Sequence, residues 1–263
     1  MIDQVTATTF HRFLSNGKTS PAIFSCEGSG HPGTNEYVVK LRGGLERGDR
    51  GLACELYASI LGAYLGMSCP RPAIVLIEAD LAAVILGQLG GGSRQAQIVR
   101  DSVGLNFGTQ FLVNLTAWPV DKSVPEPLLN AAMKVYAFDA LIQNPDRGFN
   151  NPNLGSRNDD LFIYDHELAF SFLLSIFPSR TPWKLSAEDY LSNHVFARAL
   201  KQVQFPGDFL QRLSDLSRQA VRYFSEQIPD AWGSDDLQKI ESHLLLISEH
   251  AAEFAEEVTR RLP

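Results

Sequence analysis

The chain has 263 residues, of which 44% are hydrophobic and 20% charged, and its formal net charge is −7. This length suits one large domain or two lobes and allows a substantial buried core. The net negative charge argues against a general nucleic-acid binder, because contacts with phosphates need a basic surface. We therefore expect no direct binding of nucleic acid, although this charge is compatible with a local basic groove.

The first third of the sequence predicts β-strands. Residues 5–14, 21–27 and 36–41 contain many β-branched and aromatic residues, a composition that favours strands. Polar residues and glycines separate these three segments, as is typical of turns. Lys40 closes the apolar run of the third predicted strand.

Helical periodicity begins after the third predicted strand. Apolar residues at helical spacing predict a helix over residues 51–65. A strand is expected over residues 73–77, and a helix interrupted by three glycines over residues 80–103. Residues 105–115 are expected to be extended and to lead into a loop.

The second part of the sequence is expected to be mainly helical. One apolar helix leads directly into Asn144, and a short strand over residues 161–164 precedes Asp165. The C-terminus predicts one amphipathic helix, whose apolar residues are three and four positions apart: Leu237, Ile240, Leu244, Ile247, Ala251, Phe254 and Val258. A dimer seam would show this pattern too, but packing within the helix's own domain fits a short, single run better.

This order of elements predicts an α+β fold of the two-lobed, protein-kinase-like type, with nucleotide bound in the cleft. Residues 1–112 would form the nucleotide-binding lobe, which is rich in β-strands and has one central helix. Residues 113–263 would form the helical lobe with the catalytic loop and the metal site. The boundary is placed where extended chain gives way to loop.

The motif around Asp146 is the most informative pattern for chemistry. Asn151 lies five positions after Asp146, and Asp165 directly follows a short apolar run. Kinases use this order: a carboxylate that orients the acceptor hydroxyl, then two ligands for magnesium. A carboxylate behind a buried strand needs a partner, and a metal ion supplies one. The sequence therefore predicts Asp146 as the catalytic base and Asn151 and Asp165 as metal ligands; the alternative is that they are turn and cap residues.

Lys40 and Glu55 form a second candidate pair. In kinases a strand lysine contacts the α- and β-phosphates of ATP, and a glutamate on the following helix holds it. Glu55 stands on the predicted helix over residues 51–65. A surface lysine that closes a strand is the alternative. We expect the side chains of Asp146, Asn151 and Asp165 to converge on a divalent cation opposite Lys40, in a crevice between the lobes.

The turn between the first two predicted strands is the candidate phosphate loop. Its backbone amides and hydroxyls, with the charge of Lys18, would cradle phosphate, so the predicted nucleotide-binding residues include Gly17, Lys18, Thr19 and Ser20. A plain hairpin turn is the alternative. The glycines of residues 28–33 match the pattern G-x-G-x-x-G, but they join the second and third predicted strands and are interpreted as a turn.

Several of these segments together resemble the HipA-like kinases, bacterial relatives of the HipA serine/threonine kinase. The resemblance lies in residues 37–40, the helix with Glu55, and residues 65–70, 138–147 and 163–167. It implies a protein-kinase-like fold, related to that of phosphoinositide kinases, with ATP and magnesium as cofactors. It also implies the roles given above for Lys40, Asp146, Asn151 and Asp165, and it allows an antitoxin or regulator as a partner.

The leading functional hypothesis is an ATP- and magnesium-dependent phosphotransferase that acts on a protein serine or threonine. A pseudokinase that holds nucleotide or a partner is one alternative, and a kinase acting on a lipid or small-molecule hydroxyl is another. We expect a cytoplasmic protein, since three scattered cysteines suit a reducing compartment and the sequence shows neither a signal peptide nor a run that would span a membrane. Arg147 could contact phosphate or support the loop, and the roles of His166 and Glu167 stay open as well.

Overall fold

The computed structural model describes residues 2–14, 19–28, 30, 35–90, 92–119, 122–177, 179–185, 189–233 and 235–263. The chain divides into two compact units. Unit 1 consists of Met1–Leu56, Pro70–Val113 and Pro229–Gly233. Unit 2 consists of Tyr57–Cys69, Asn114–Ile228 and Ser234–Pro263. The domain boundary between residues 112 and 113 stays a prediction.

A closed five-stranded barrel forms the centre of unit 1. Its strands are β1 (Asp3–Phe13), β2 (Ala22–Glu27), β3 (Glu36–Lys40), β4 (Pro72–Ile77) and β5 (Gly104–Gln110). They follow the order β1-β2-β3-β5-β4, and the parallel pairing of β1 with β4 completes the barrel, while all other pairs are antiparallel. Closure leaves the barrel without an unpaired edge.

Apolar side chains fill the interior of this barrel. Phe24, Tyr37, Val39 and Val75 are fully buried, as the alternation of inward and outward side chains along a strand requires. Space inside is tight, because a Cβ on Gly108 would lie 2.6 Å from Cγ2 of Val75. The packing gives β3 a fixed register and so fixes the position of Lys40 at its end.

Among its described residues, the first part of the chain contains three α-helices: α1 (Asp49–Tyr64), α2 (Ala79–Leu89) and α3 (Arg94–Arg100). The helix predicted over residues 80–103 divides into α2 and α3, because Gly90 adopts a φ of 73° and Ser93 caps α3 by accepting a hydrogen bond from the Ala96 amide. Apolar side chains of α2 and α3 join the core of the barrel.

In the part of unit 2 that the structure describes, a small sheet is combined with five α-helices that belong to this unit alone. The sheet contains β6 (Thr116–Ala117), β7 (Leu154–Arg157) and β8 (Asp160–Ile163), paired antiparallel. The helices that lie wholly in this unit are α4 (Leu129–Leu141), α5 (Gly207–Ser214), α6 (Arg218–Ser225), α7 (Leu237–Glu249) and α8 (Ala251–Arg260). From Ala132 to Leu141, α4 is buried almost without interruption, which marks it as the central helix of the unit.

The C-terminal stripe of apolar residues forms two helices instead of the single helix expected. The break falls at His250, whose φ of −119° and ψ of 31° are not helical. Ile240, Leu244, Phe254 and Val258 are nevertheless buried within the chain. The stripe therefore packs inside unit 2, as the sequence favoured, and does not form a dimer seam. Among the residues that the structure describes, no helix is both long and apolar enough to cross a membrane.

Candidate active site

The side chain of Lys40 is paired with Glu55 in unit 1. The Lys40 Nζ lies in contact with Glu55 Oε1, as a hydrogen bond and an ion pair. Glu55 is 1% exposed and Lys40 9% exposed. Desolvation makes a buried pair costly unless its partners are well placed. The carboxylate of Glu55 on α1 therefore holds the ammonium group of Lys40 at the end of β3.

A rigid turn follows β3 and contacts the end of the loop between β1 and β2. Arg42–Gly44 form one turn of 3₁₀ helix, and the buried Asn106 accepts a hydrogen bond of 2.9 Å from the Arg42 amide. A Cβ on Gly44 would lie 2.2 Å from the Thr19 carbonyl oxygen. The backbone at Thr19 therefore packs directly on the glycine. Of the predicted loop residues, Thr19 and Ser20 are half-buried, whereas Gly17 and Lys18 lie outside the described residues.

Asp146 lies in the loop that follows α4, and two amides hold its carboxylate. The Nδ2 atoms of Asn151 and Asn153 donate hydrogen bonds of 3.0 Å and 2.8 Å to the same oxygen, Oδ2 of Asp146. Within the described part of the chain, no residue forms a hydrogen bond with Oδ1. Burial raises the pKa of this half-buried carboxyl, the hydrogen bond from Asn151 opposes that effect, and the charge of Asp165 adds to it.

Asp165 follows β8 after one residue and adopts a left-handed conformation with a φ of 63°. The Ile163 amide donates to the Ser68 carbonyl over 3.0 Å, and the Tyr164 amide donates to the Asn153 carbonyl over 3.2 Å. These bonds fix the strand end immediately before the aspartate. Since the charge of Asp165 raises the pKa of Asp146, the fold brings these two predicted carboxylates within electrostatic reach of each other.

A fully buried ion pair lies beneath the Asp146 loop. Arg147 Nε donates to Oδ2 of Asp139 over 2.6 Å, and neither side chain has any exposed surface. Arg147 Nη1 also donates to the carbonyl oxygens of Asn153 and, over 3.2 Å, Tyr164. Of the two roles open for Arg147, contact with phosphate or support of the loop, the structure shows support of the loop. The guanidinium joins α4, the Asp146 loop and the approach to Asp165.

His194 also contacts Asp139, whose Oδ1 accepts a hydrogen bond of 2.9 Å from Asn144 Nδ2. The His194 Nε2 lies 3.0 Å from Asp139 Oδ2, and the Phe196 amide donates to the His194 Nδ1 over 3.1 Å. A nitrogen that accepts carries no proton, so the ring is neutral and donates from Nε2. Burial lowers the pKa of His194, which agrees with this assignment. Burial alone would raise the pKa of Asp139, but Arg147 and His194 outweigh it and hold the pKa at about 2.

The predicted metal ligands do not form a cluster rich in carboxylates. Among the described residues, no group of three or more His, Cys, Asp or Glu side chains is arranged to hold a metal ion. The predicted ligand set has one acidic member, Asp165, and one amide, from Asn151, and the addition of the predicted base Asp146 makes two carboxylates. His166 and Glu167 are buried, and the His166 ring packs edge-on against Phe138 at a centroid distance of 5.9 Å.

Three residues that build this site were not singled out from the sequence: Asn153, Asp139 and His194. Asp139 had a detectable signal, because a carboxylate within the apolar run of α4 must have buried partners. Asn153 had a weaker one, as a third polar residue in the loop after Asp146. The sequence contains no signal for His194, because 55 residues separate it from Asp139 and only the folded chain brings the two side chains together.

The fold is similar to that of a solved kinase structure. A similar solved structure is the crystal structure of a Helicobacter pylori proinflammatory kinase, CtkA, with a TM-score of 0.53, 10% sequence identity, and coverage of 100% of this chain and 98% of that one. At this identity the likeness establishes the fold alone, which has mixed α and β content as expected.

The family follows from the sequence match. The model of the HipA-like kinase family matches residues 8–259, and the chain therefore belongs to the HipA-like kinase family. The resemblance noted in the sequence is confirmed. A comparison with curated proteins gives no match.

Proposed function

We propose that this HipA-like kinase is an ATP- and magnesium-dependent phosphotransferase whose acceptor is a serine or threonine hydroxyl of a protein. The observation that carries the proposal is the arrangement around Asp146. One carboxylate oxygen is held by two amides, and no described residue forms a hydrogen bond with the other. A carboxylate in this state is prepared to accept a hydrogen bond from a substrate.

Asp146 has the chemical properties of the residue that orients the acceptor. Its Oδ1 would accept a hydrogen bond from the substrate hydroxyl and direct that oxygen at the γ-phosphoryl group. Positioning and charge neutralisation provide most of the rate enhancement in phosphoryl transfer. The partial burial that raises the pKa of Asp146 also strengthens the carboxylate as a proton acceptor.

Asn151 and Asp165 fit the requirements of a magnesium site. The Asn151 Nδ2 donates to Asp146, so its side-chain oxygen would be the atom that binds the metal as a hard ligand. Asp165 would supply a carboxylate oxygen. Magnesium typically keeps several waters and takes one or two protein carboxylates together with substrate phosphates, so a small ligand set is suitable. Bound magnesium would neutralise charge on the phosphates.

The Lys40–Glu55 pair in unit 1 fits the binding of nucleotide phosphates. The carboxylate of Glu55 holds the Lys40 ammonium, and a lysine ammonium is a compact charge suited to phosphate. We propose that Lys40 contacts the α- and β-phosphates of ATP and that residues 17–20, with Lys18, form the phosphate loop. The family membership supports a polypeptide hydroxyl as the acceptor, with a regulator or antitoxin as a candidate partner.

The test is transfer of labelled phosphate from ATP in the presence of magnesium, with a host lysate as the source of acceptors. We expect labelled serine or threonine in proteins, and loss of the label with Asp146→Ala. Asp160→Ala removes an exposed aspartate of β8 and serves as the matched control, which should stay active. Full activity of Asp146→Ala would contradict the role of this residue. Label that appears only in lipids or small molecules would change the acceptor, and binding of ATP without turnover would indicate a pseudokinase.

A further inference from the structure

Asn153 contacts the site through both its side chain and its backbone. Its Nδ2 donates to Asp146 Oδ2 over 2.8 Å, the shorter of the two amide bonds to that oxygen. Its carbonyl oxygen accepts from Arg147 Nη1 and, over 3.2 Å, from the Tyr164 amide. The residue thus connects the Asp146 carboxylate to the buried Arg147 and to the strand end before Asp165.

The two amides that bind Asp146 differ in how firmly they are held. Asn151 is exposed, whereas Asn153 is 9% exposed. The role proposed for Asn151 also requires its side-chain oxygen to face magnesium, so its orientation must satisfy two partners. Arg147 and Tyr164 fix the backbone of Asn153, and its side chain is therefore the more rigid anchor of Oδ2.

We propose that Asn153 is a positioning residue for phosphoryl transfer, which holds Oδ2 of Asp146 so that Oδ1 faces the acceptor hydroxyl. The inference rests on the proposed function of Asp146. With two donors on Oδ2, rotation of the carboxylate would break both bonds, so the acceptor meets an oxygen of fixed direction. Such prior orientation avoids an entropic cost during the reaction.

The backbone at Asn153 narrows the choice of residue. Its φ of 46° lies in the left-handed region, which glycine, asparagine and aspartate adopt with least strain. Among these three only asparagine has a side-chain N–H to donate to a carboxylate at neutral pH. The position therefore requires both a left-handed backbone and an amide donor.

The experiment separates these two requirements by comparing Asn153→Gly with Asn153→Asp. Glycine preserves the backbone conformation and removes the amide. Aspartate preserves the shape of the side chain and replaces the donor with a second acceptor facing Asp146. The same changes at Asn158, which is exposed and has a φ of 50°, are the matched controls. We would measure kcat, KM for ATP and thermal unfolding for all four variants and the wild type.

We expect both Asn153 variants to lose kcat on the order of 100-fold, because the acceptor is misplaced relative to the phosphate, while KM for ATP changes little. Aspartate should be at least as impaired as glycine. The Asn158 variants should keep the kcat of the wild type. Wild-type kcat in Asn153→Gly would overturn the inference and show that the position serves only the backbone. A loss that appears in KM for ATP, with kcat unchanged, would overturn it as well.

The same assay distinguishes this inference from the proposed function. If the wild type transfers phosphate and Asp146→Ala does not, the proposed function stands, and the Asn153 variants decide the inference alone. If the wild type transfers no phosphate to any acceptor, the proposed function fails and the inference fails with it.

Discussion

Two buried ion pairs of this chain differ in how completely water is excluded from them. In unit 2, the side chains of Asp139 and Arg147 have no exposed surface. In unit 1, the side chain of Glu55 is 1% exposed, but that of Lys40 retains 11% exposure. Each pair involves a helix: Asp139 on α4 pairs with Arg147 of the loop that follows it, and Glu55 on α1 pairs with Lys40 at the end of β3.

The difference separates a structural pair from a pair suited to binding. Arg147 directs its Nη1 to backbone carbonyls of the Asp146 loop and of the chain before Asp165, so the guanidinium contacts buried groups of unit 2. Lys40 keeps part of its side chain exposed, while Glu55 neutralises its ammonium charge. Buried charges with fixed partners maintain a geometry, whereas a held but accessible cation can bind an anion. The following predictions test this distinction.

The largest effect is expected for Arg147→Met. Methionine fills much of the volume but leaves the Asp139 carboxylate buried without its charge partner, and the loop loses the hydrogen bonds to the carbonyls of Asn153 and Tyr164. Loss of one member of a buried pair costs about 4 kcal/mol. Denaturant unfolding should show this loss. Arg222→Met removes the arginine of an exposed pair with Glu226, where less than about 1 kcal/mol is expected. Equal losses in the two variants would contradict the structural role of Arg147.

The second-largest effect is expected on the free energy of unfolding at acid pH. His243 is buried, lies 2.8 Å from the Leu141 carbonyl oxygen through Nε2, and stacks on Phe172. Burial lowers its pKa from 6.5 to about 4. Between these two pH values His243 binds a proton in the unfolded chain but stays neutral in the folded chain. The free energy of unfolding therefore falls as the pH drops from 6.5 to 4. The shift corresponds to about 3 kcal/mol.

His243→Gln tests the origin of this acid sensitivity, because glutamine keeps an N–H for the Leu141 carbonyl and does not titrate. The slope of unfolding free energy against pH should become shallower between pH 6.5 and 4. An unchanged slope in His243→Gln would assign the sensitivity to other groups, of which the buried His194 is the first to examine.

Lys40→Met tests the Lys40–Glu55 pair, the second of the two ion pairs compared above. The variant should lose about 2 kcal/mol of stability, as expected for the loss of a charged hydrogen bond, and should bind ATP far more weakly. Adding Glu55→Leu removes the uncompensated carboxylate, and replacing a buried pair by apolar residues is often neutral. The double variant should therefore regain stability without regaining affinity for ATP, as measured by calorimetry. Recovery of ATP affinity would show that Lys40 serves the fold alone.

The sequence was sufficient for features that depend on local patterns. The strands β1 to β4, helix α1 and the pairing of Lys40 with Glu55 follow from apolar alternation, helical spacing and the order of elements along the chain. The closure of the barrel could not be predicted in this way, because it depends on the parallel pairing of β1 with β4, which are far apart in the sequence.

The candidate site likewise contains residues that can be recognised from their spacing in the sequence and residues that only folding brings together. The order of Asp146, Asn151 and Asp165 was visible, because chemistry imposes residue types and approximate spacing on a catalytic loop. The support beneath it was not visible, since His194 reaches Asp139 from a distant segment. Nor could the use of two amides on one oxygen of Asp146 be predicted, because that depends on the positive φ of Asn153.

The smallest effect is expected at Gly44, where the fold meets the proposed phosphate loop. An alanine Cβ there would lie 2.2 Å from the Thr19 carbonyl oxygen, a clash that only backbone movement relieves. We expect Gly44→Ala to cost about 1 kcal/mol and to raise KM for ATP by displacing the loop, with a smaller change in kcat. Gly87→Ala, in α2 with no atom within 4 Å of the added Cβ, should instead stabilise the protein slightly. If Gly44→Ala loses stability but keeps its KM for ATP, residues 19 and 20 do not position the nucleotide, and the phosphate loop must be sought elsewhere in unit 1.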